Sequence, residues 1–341
     1  PANQQRWTLD FPEDLTFFAD LFAAMPMDPV PSWQEVLSFL GCHPELVRAN
    51  AGHRAGSPMA ADAQAPVAVF RFEANARIGT GHAMRCNTLQ ARLEVLGWRC
   101  HWALDAASAA FLAASVPPGA LIELKHDGKD AAAEIAAATH RCDLLVIDHY
   151  GVDADFAAAM RKHAKRIVYF DDLANRRMDA DLIINPTPGF TPDQYAPLNV
   201  GTARCLLGPD FALLRQQFAA GRSRRRSSSS GVKKVLVAFG GVDPLDGSSL
   251  ALETLANRPS LTATVVLGST APHLTKVVDL VAAHPDRFQV LTDLADMAGI
   301  MAEADLVIGA PGTSTWERSA LGLPSVLIGI AENQRANAAI V

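Results

Sequence analysis

No stretch of the chain is apolar for the roughly 20 residues that a membrane-spanning helix requires, and the N-terminus lacks the basic-then-apolar layout of a secretory leader. No membrane span is expected, and the expected compartment is the cytoplasm. Positive charge is scarce as well: 30 Lys and Arg against 36 Asp and Glu leave a net charge of −6. A nucleic-acid surface needs a basic excess, so no nucleic-acid partner is expected. The five cysteines, Cys42, Cys86, Cys100, Cys142 and Cys205, are odd in number and contain no C-x-x-C pair, which argues against zinc or dithiol chemistry. They read as buried free thiols, and neither a metal nor a cofactor is expected. Cys86 stands four residues after His82, which raises a nucleophile reading, yet helical spacing beside a strand favours a small core side chain.

What is present is an ordinary globular composition, 49% apolar and 19% charged over 341 residues, long enough for more than one domain. In "LDFPEDLTFFADLFAAM" Asp10 is placed to cap a helix with Pro12 and Glu13 in its first turn, and "SWQEVLSFL" sets Ser32 and Glu35 at capping-box spacing. Residues 1–55 therefore read as a helical extension of two amphipathic helices, followed by an aperiodic tether that includes a linker over 56–65. From residue 66 the apolar runs 67–72, 99–104, 143–149, 166–172 and 181–185 alternate with helical stretches at 82–96, 131–139 and 153–163. Strands apolar on both faces and separated by helices imply a parallel α/β sheet, whose ligands gather at the carboxyl ends of the strands. The Arg/Ser-rich stretch 219–231 reads as a solvated hinge rather than a surface for an anionic partner. Beyond it, runs at 233–241, 262–268, 287–292, 305–310 and 324–330 repeat the rhythm. The expectation is two Rossmann-like domains, 66–218 and 232–341, facing each other across a cleft. The second is expected to be incomplete, because the sequence stops at "ENQRANAAIV" as a helix begins.

Candidate chemistry lies at the strand ends. In "IGTGHAMR", Gly79 and Gly81 let the backbone turn so that the following helix aims its free N–H groups into the crevice. His82 falls in the first helical turn, where the macrodipole disfavours a positive charge and leaves a ring able to accept a proton. It reads either as a helix cap or as a general base, and its place at the first β–α turn favours the base. Thr80 and Arg85 of the same segment read as substrate contacts. A dinucleotide loop is excluded although Asp105 closes the next strand where a ribose acid would sit: the third glycine of G-x-G-x-x-G is replaced by Met84. In "VIDHYG", Asp148, His149 and Tyr150 end a strand, and Asp171 and Asp172 end the next; for His149 and Asp172, substrate contact and turn residue are balanced. The second domain offers two anion cradles. One is Gly240 and Gly241, with Asp246 or Ser248 at a helix start. The other is "GAPGTSTWERSALGLP", in which Thr313, Ser314 and Thr315 donate at a helix N-terminus and Glu317 lies one turn in, which suits a diphosphate and a ribose.

Six segments in order, "IGTGHAMR", "LLVIDHYG", "YFDD", "LLGPDFALLRQQF", "AFGGVDP" and "GTSTWERSALGLP", resemble the PseG family, UDP-2,4-diacetamido-2,4,6-trideoxy-β-L-altropyranose hydrolases of pseudaminic acid synthesis. The resemblance covers residues 66–341. It implies the GT-B fold shared with MurG-type glycosyltransferases, with the nucleotide held by the second domain. It also implies hydrolysis of the glycosidic C–O bond with inversion, so that the partners are a UDP-sugar and water. By the same resemblance His82 activates water, Tyr150 lies near the sugar and is the second catalytic candidate, Glu317 lies on the uridine ribose, and Asn333 is a further substrate contact. Glu73 and Asn75 depart from the Asp-Ala-Ser more usual in that family, and the closing helix common in GT-B proteins is not found in the sequence. Two alternatives stay open: a glycosyltransferase of the same fold, and a non-catalytic UDP-sugar-binding module. Residues 1–55 resemble the C-terminal tail of cytidylyltransferase-like proteins of spore-coat and nonulosonic acid synthesis, which implies a fused polypeptide; the alternative is an unrelated helical extension.

Overall fold

The computed structural model describes residues 12–25, 31–43, 46, 65–218, 222, 231–294, 296–330, 334, 337 and 338. The chain divides into two units, Pro1–Ala65 and Pro66–Val341. Asp10, nearly all of the tether and most of 219–231 lie outside the described residues. The first unit holds helices α1 (Pro12–Ala24) and α2 (Trp33–Cys42). The expected capping box opens α2: Glu35 N–H donates to Ser32 Oγ, and Ser32 N–H donates to Glu35 Oε2 at 2.7 Å. Phe17 and Leu21, one helical turn apart, are buried with Leu40.

The second unit begins with a seven-stranded sheet. Its elements are β1 (Val67–Phe72), α3 (Gly81–Val95), β2 (Arg99–Asp105), α4 (Ala106–Phe111), β3 (Leu121–Leu124), α5 (Gly128–Ala138) and β4 (Leu144–Asp148), then α6 (Ala154–Met160), β5 (Ile167–Phe170), β6 (Leu182–Asn185), α7 (Pro192–Tyr195) and β7 (Arg204–Leu207). Every pairing is parallel, in the order β3-β2-β1-β4-β5-β6-β7. Alternate residues feed two cores. Val67, Val69, Leu145, Ile147 and Tyr169 line one face, and Ala68, Phe70, Phe72, Val146 and Phe170 line the other, against Ala83 and Cys86 of α3. That two-sided burial is why the strands read as unbroken apolar runs. The sheet has two strands more than the sequence analysis finds. β3 and β7 are four-residue edge strands with mostly unburied side chains, too short and too wet to leave an apolar signature.

A five-stranded parallel sheet follows. It comprises β8 (Lys234–Ala238), α8 (Gly247–Ala256), β9 (Thr262–Leu267), α9 (Leu274–Ala282), β10 (Phe288–Thr292), α10 (Met297–Glu303), β11 (Leu306–Gly309), α11 (Ser314–Leu321) and β12 (Ser325–Leu327), in the order β10-β9-β8-β11-β12. In both sheets the chain reverses its direction of travel beside the first strand, between β1 and β4 and between β8 and β11. These are the switch points at which the loops beyond the strands part to leave a crevice.

Two local contacts brace the sheets, one at the amino ends of β1 and β4 and the other beyond the carboxyl ends of β8 and β9. Asp143, just before β4, accepts from Val67 N–H at 2.9 Å and pairs with Arg141 and Lys165. Burial pushes its carboxyl up, but Lys165, the Val67 N–H and Arg141 outweigh this and bring it from an ordinary 3.8 to about 2. A carboxyl depressed on folding stabilises above its unfolded pKa and loses that contribution as pH falls through the folded one. In the second sheet Gly268 N–H donates to Gly241 O at 2.8 Å, so close that a methyl group on Gly268 would lie 2.6 Å from that oxygen.

The Tm deficit of Asp143→Asn relative to wild type is therefore expected to be full above about pH 4 and to shrink between about pH 4 and pH 2, as measured by thermal melts across pH. Gly268→Ala is expected to destabilise the protein by about 1–3 kcal/mol through overpacking against Gly241, as measured by denaturant unfolding.

Candidate active site

The loop after β1 is folded on itself: Asn75 Oδ1 accepts from the N–H groups of Arg77 and Ile78, and Gly79 N–H donates to Asn75 O. Gly79 sits at φ +82°, the left-handed conformation that the turn into α3 requires. Thr80 then opens α3 without a side-chain cap, which leaves first-turn N–H groups to the crevice. His82 is 4% exposed. Its ring meets Tyr150 edge-on at 4.6 Å, Nε2 lies 3.8 Å from Asp148 Oδ1, and Nδ1 has no partner among the described residues.

Arg85 follows three residues later on the same face of α3. Nε and Nη2 donate to the two oxygens of Asp148 at 2.7 and 2.6 Å, and Nη1 and Nη2 donate to Asp172 at 2.8 and 3.0 Å. The expected direct substrate contact is thus corrected: four of the five guanidinium donors are already spent on carboxylates. Asp172 also accepts from Tyr150 Oη at 3.3 Å. Burial pushes its carboxyl up, but Arg85 more than reverses this and holds it below its ordinary value.

The neighbouring residues divide differently from their expectations. His149 Nδ1 accepts from Gly151 N–H at 2.9 Å, and burial followed by the Arg71 charge lowers the ring to about 3. It is thus neutral and bonded into its own turn. Glu73, one of the two departures from the family pattern, accepts from Tyr150 N–H at 3.0 Å and so fixes the backbone that carries Tyr150. Asp171 is consumed by Arg176, Tyr195 Oη and the N–H of Ala174 at 2.6–2.8 Å. Asp105 caps α4 through Ser108, which disposes of any ribose role. Cys86 is buried, and burial with the Asp148 charge pushes its thiol well up, as suits an inert core residue. Cys142 is buried too, whereas Cys100 and Cys205 are only half-buried, a correction to the expectation for all the thiols.

The two cradles of the second domain prove unequal. Asp243, held at φ +45° and 1% exposed, accepts from Gly247 and Ser248 N–H at 2.9 and 2.8 Å. Its carboxylate fills the N-terminus of α8, and Asp246 pairs with Lys276 at 2.7 Å. The cradle expected from Gly240, Gly241, Asp246 and Ser248 is therefore occupied by the protein's own acid. At α11, Thr313 provides no side-chain cap, and a buried cation stands behind the loop. Arg318, 1% exposed, donates to Ala310 O, Thr315 Oγ1 and Ser314 Oγ. Burial lowers its guanidinium to about 10, still charged at neutral pH. Thr315 accordingly faces inward, a correction to its expected role as a donor to ligand. Glu317 is bound by Arg215 Nε and Nη2 at 2.6 and 3.0 Å, a partner that the ribose reading did not include. Asn333 lies outside the described residues.

The loops of the two domains meet. A methyl group on Gly81 would lie 3.8 Å from Thr313 Cγ2 and Oγ1, and one on Gly241 would lie 3.9 Å from Thr80 Oγ1. The uncapped starts of α3 and α11 thus open beside each other, with His82 in the first turn of one. Sequence reasoning missed Arg215, Arg318, Arg176 and Asp243. Arg215 lies in the quoted "LLGPDFALLRQQF" segment and Arg318 directly follows Glu317, but no spacing rule announces their partners. Among the described residues no group of three or more His, Cys, Asp or Glu is disposed to hold a metal, and no helix is long and apolar enough to cross a membrane.

No protein-family profile matches the chain. An uncharacterized protein of Methanocaldococcus jannaschii is 28% identical over 200 residues, 57% of this chain and 41% of that protein. Spore coat polysaccharide biosynthesis protein SpsG of Bacillus subtilis is 28% identical over 204 residues, 58% of this chain and 59% of its own length. The chain thus spans less than two thirds of either relative. Among solved structures, MurG of Acinetobacter baumannii superposes with a TM-score of 0.53 at 15% identity, covering 80% of this chain and 83% of its own. The glycotransferase of kitacinnamycin does so at 0.51 and 16%, covering 81% and 83%. S. aureus MnaA, solved with UDP, gives 0.50 at 10%, covering 79% and 81%. At these identities the likeness concerns the fold, and the fold is GT-B: two parallel-sheet α/β domains, as the sequence resemblance implies.

The occupied α8 terminus has a measurable consequence. Asp243→Ala strips the two N–H groups of their acceptor and is expected to cost about 1 kcal/mol, within the range for a lost cap, read as a lower denaturation midpoint.

Proposed function

We propose that residues 66–341 form a nucleotide-sugar hydrolase that cleaves a UDP-linked 2,4-diacetamido-2,4,6-trideoxy sugar, UDP-6-deoxy-AltdiNAc, to the free sugar and UDP in pseudaminic or nonulosonic acid biosynthesis. The carrying observation is the placement of a buried histidine, with an acid and a tyrosine beside it, in the first turn of one uncapped helix that opens onto a second. Residues 66–218 supply the sugar side and the base, and 232–341 hold the nucleotide. In this reading the diphosphate lies on the N-terminus of α11, with Thr313 and Ser314 donating and the Arg318 charge behind them. Glu317, oriented by Arg215, accepts from the ribose hydroxyls of UDP. The Gly240–Gly241 turn supports the opposite wall by shape rather than by its helix terminus. The spore-coat polysaccharide role in the name of the Bacillus relative, and the UDP with which MnaA was solved, agree with a sugar-nucleotide substrate. Residues 1–55 are the tail of a fused cytidylyltransferase-like part, and the whole works in the cytoplasm.

The chemistry needs one base. His82 takes a proton from water as its oxygen bonds to the anomeric carbon from the face opposite UDP. The C–O bond to the β-phosphate breaks with its electron pair on UDP, and configuration inverts. Helix N–H groups meet the charge that develops on the diphosphate, so a second carboxyl acting as general acid is dispensable. His149, neutral and bonded into its own turn, takes no part. The likeness to MurG favours a second reading, transfer of the sugar to an acceptor other than water.

The test is UDP release from UDP-6-deoxy-AltdiNAc without acceptor. Wild type is expected to turn over, and His82→Asn to lose about 10²–10⁴-fold in kcat with an unchanged thermal melt. Release only when an acceptor is added would establish the transferase, and tight UDP-sugar binding without release a binding module.

A further inference from the structure

Arg85, Asp148 and Asp172 do more than anchor one another. One guanidinium is shared by two carboxylates, so two negative charges and one positive leave a single negative charge. That charge sits among side chains that are all largely buried: 6% exposed for Arg85, 2% for Asp148 and 16% for Asp172. An uncompensated charge in such a place is costly unless something of opposite sign joins it. Of the groups closest to His82 none adds a further charge. His149 is held uncharged, the Cys86 thiol is held protonated, the Tyr150 hydroxyl donates to Asp172, and Thr313 from the second domain carries no charge. One layer out, Glu73 accepts from Tyr150 N–H and lies in the field of buried Arg71, whose own partners include Asp105. The imidazole set against the cluster is that of His82, whose Nε2 lies 3.8 Å from Asp148 Oδ1.

We infer that the Asp148–Arg85–Asp172 cluster is a charge-matching device for His82, one carboxylate in excess, so that the proton His82 takes from water brings the buried site to neutrality. This rests on the reading of His82 as the base. Asp148 and Asp172 are positioning residues in this scheme: Asp148 faces the ring, and Asp172 acts through Arg85 and Tyr150. Arg85 sets the balance, since a second cation there would leave nothing for the proton to neutralise and no cation would leave two charges.

Asp172→Asn keeps an oxygen acceptor for Arg85 and leaves the Asp148 contact with His82 in place, but deletes the excess charge. A base must be unprotonated to act, so activity rises with pH through its titration, and loss of a nearby negative charge moves that titration to lower pH. The acidic limb of kcat/KM is expected to move down by about one pH unit in Asp172→Asn and to stay in place in Asp172→Glu, which keeps the charge. The plateau kcat of Asp172→Asn is expected to fall by about tenfold. The His82 ring resonances, followed by NMR and assigned by their loss in His82→Asn, are expected to titrate at lower pH in Asp172→Asn than in wild type. Asp148→Asn removes the same unit of charge and carries the same expectation, so either folded variant decides. A lower rate with an unmoved ring titration would overturn the inference and leave Asp172 a structural anchor. Wild type that titrates as expected but releases no UDP would instead defeat the hydrolase reading and leave the charge device standing.

Discussion

The site in the first domain depends on one guanidinium. Arg85 projects from α3 and holds the acid that ends β4 and the acid just beyond β5. A helix is thereby tied to two neighbouring strands at the edge of the switch-point crevice. Without that tie two buried carboxylates would repel each other where the fold needs them side by side, and removing one partner of such a pair typically costs about 3–5 kcal/mol. Because Arg85 is one turn from His82, the contact that relieves this repulsion also fixes the start of α3, and with it the histidine.

A second arginine does the complementary work on the opposite face. Arg176 donates to Asp171, to His149 O and to Val152 O, so the loop after β4 is pinned to the turn after β5 from below as well as from above. The second domain uses charge in the reverse sense. One helix terminus is satisfied by an internal acid, Asp243, and so removed from ligand chemistry. Another is left uncapped over a buried cation, Arg318. The same local motif, glycines followed by a helix, thus yields a structural turn in one place and a candidate anion site in the other. What separates them is whether a carboxylate lies within reach of the first N–H groups.

Much of this was legible in the sequence. Apolar runs of strand length, spaced by helical stretches, revealed both parallel sheets, because burial on two faces leaves an unmistakable composition. The position of His82 at the first β–α turn followed from Gly79 and Gly81. The resemblance to PseG implied the GT-B fold that the structure displays. The edge strands β3 and β7 escaped because their exposed side chains carry no pattern. Partner choice escaped for a different reason. Arg215 and Glu317 are 102 positions apart, and nothing local in "LLRQQF" or "WERS" requires them to meet. Asp243 hid within a turn whose acids looked interchangeable.

The pair Asp171 and Asp172 shows how sharply such a site is addressed. Side chains of an extended strand alternate between faces, so Tyr169 belongs with one core and Phe170 with the other. Just beyond β5, Asp171 meets Tyr195 of the first core while Asp172 meets Arg85, which lies over Phe170. Two identical residues in succession therefore receive opposite assignments, one to Arg176 and Tyr195, the other to Arg85 and Tyr150. Their identity is a matter of parity, not of chemistry. Insertion of a single residue into β5 would turn each acid to the opposite face, whereas an insertion of two would return each to its own face.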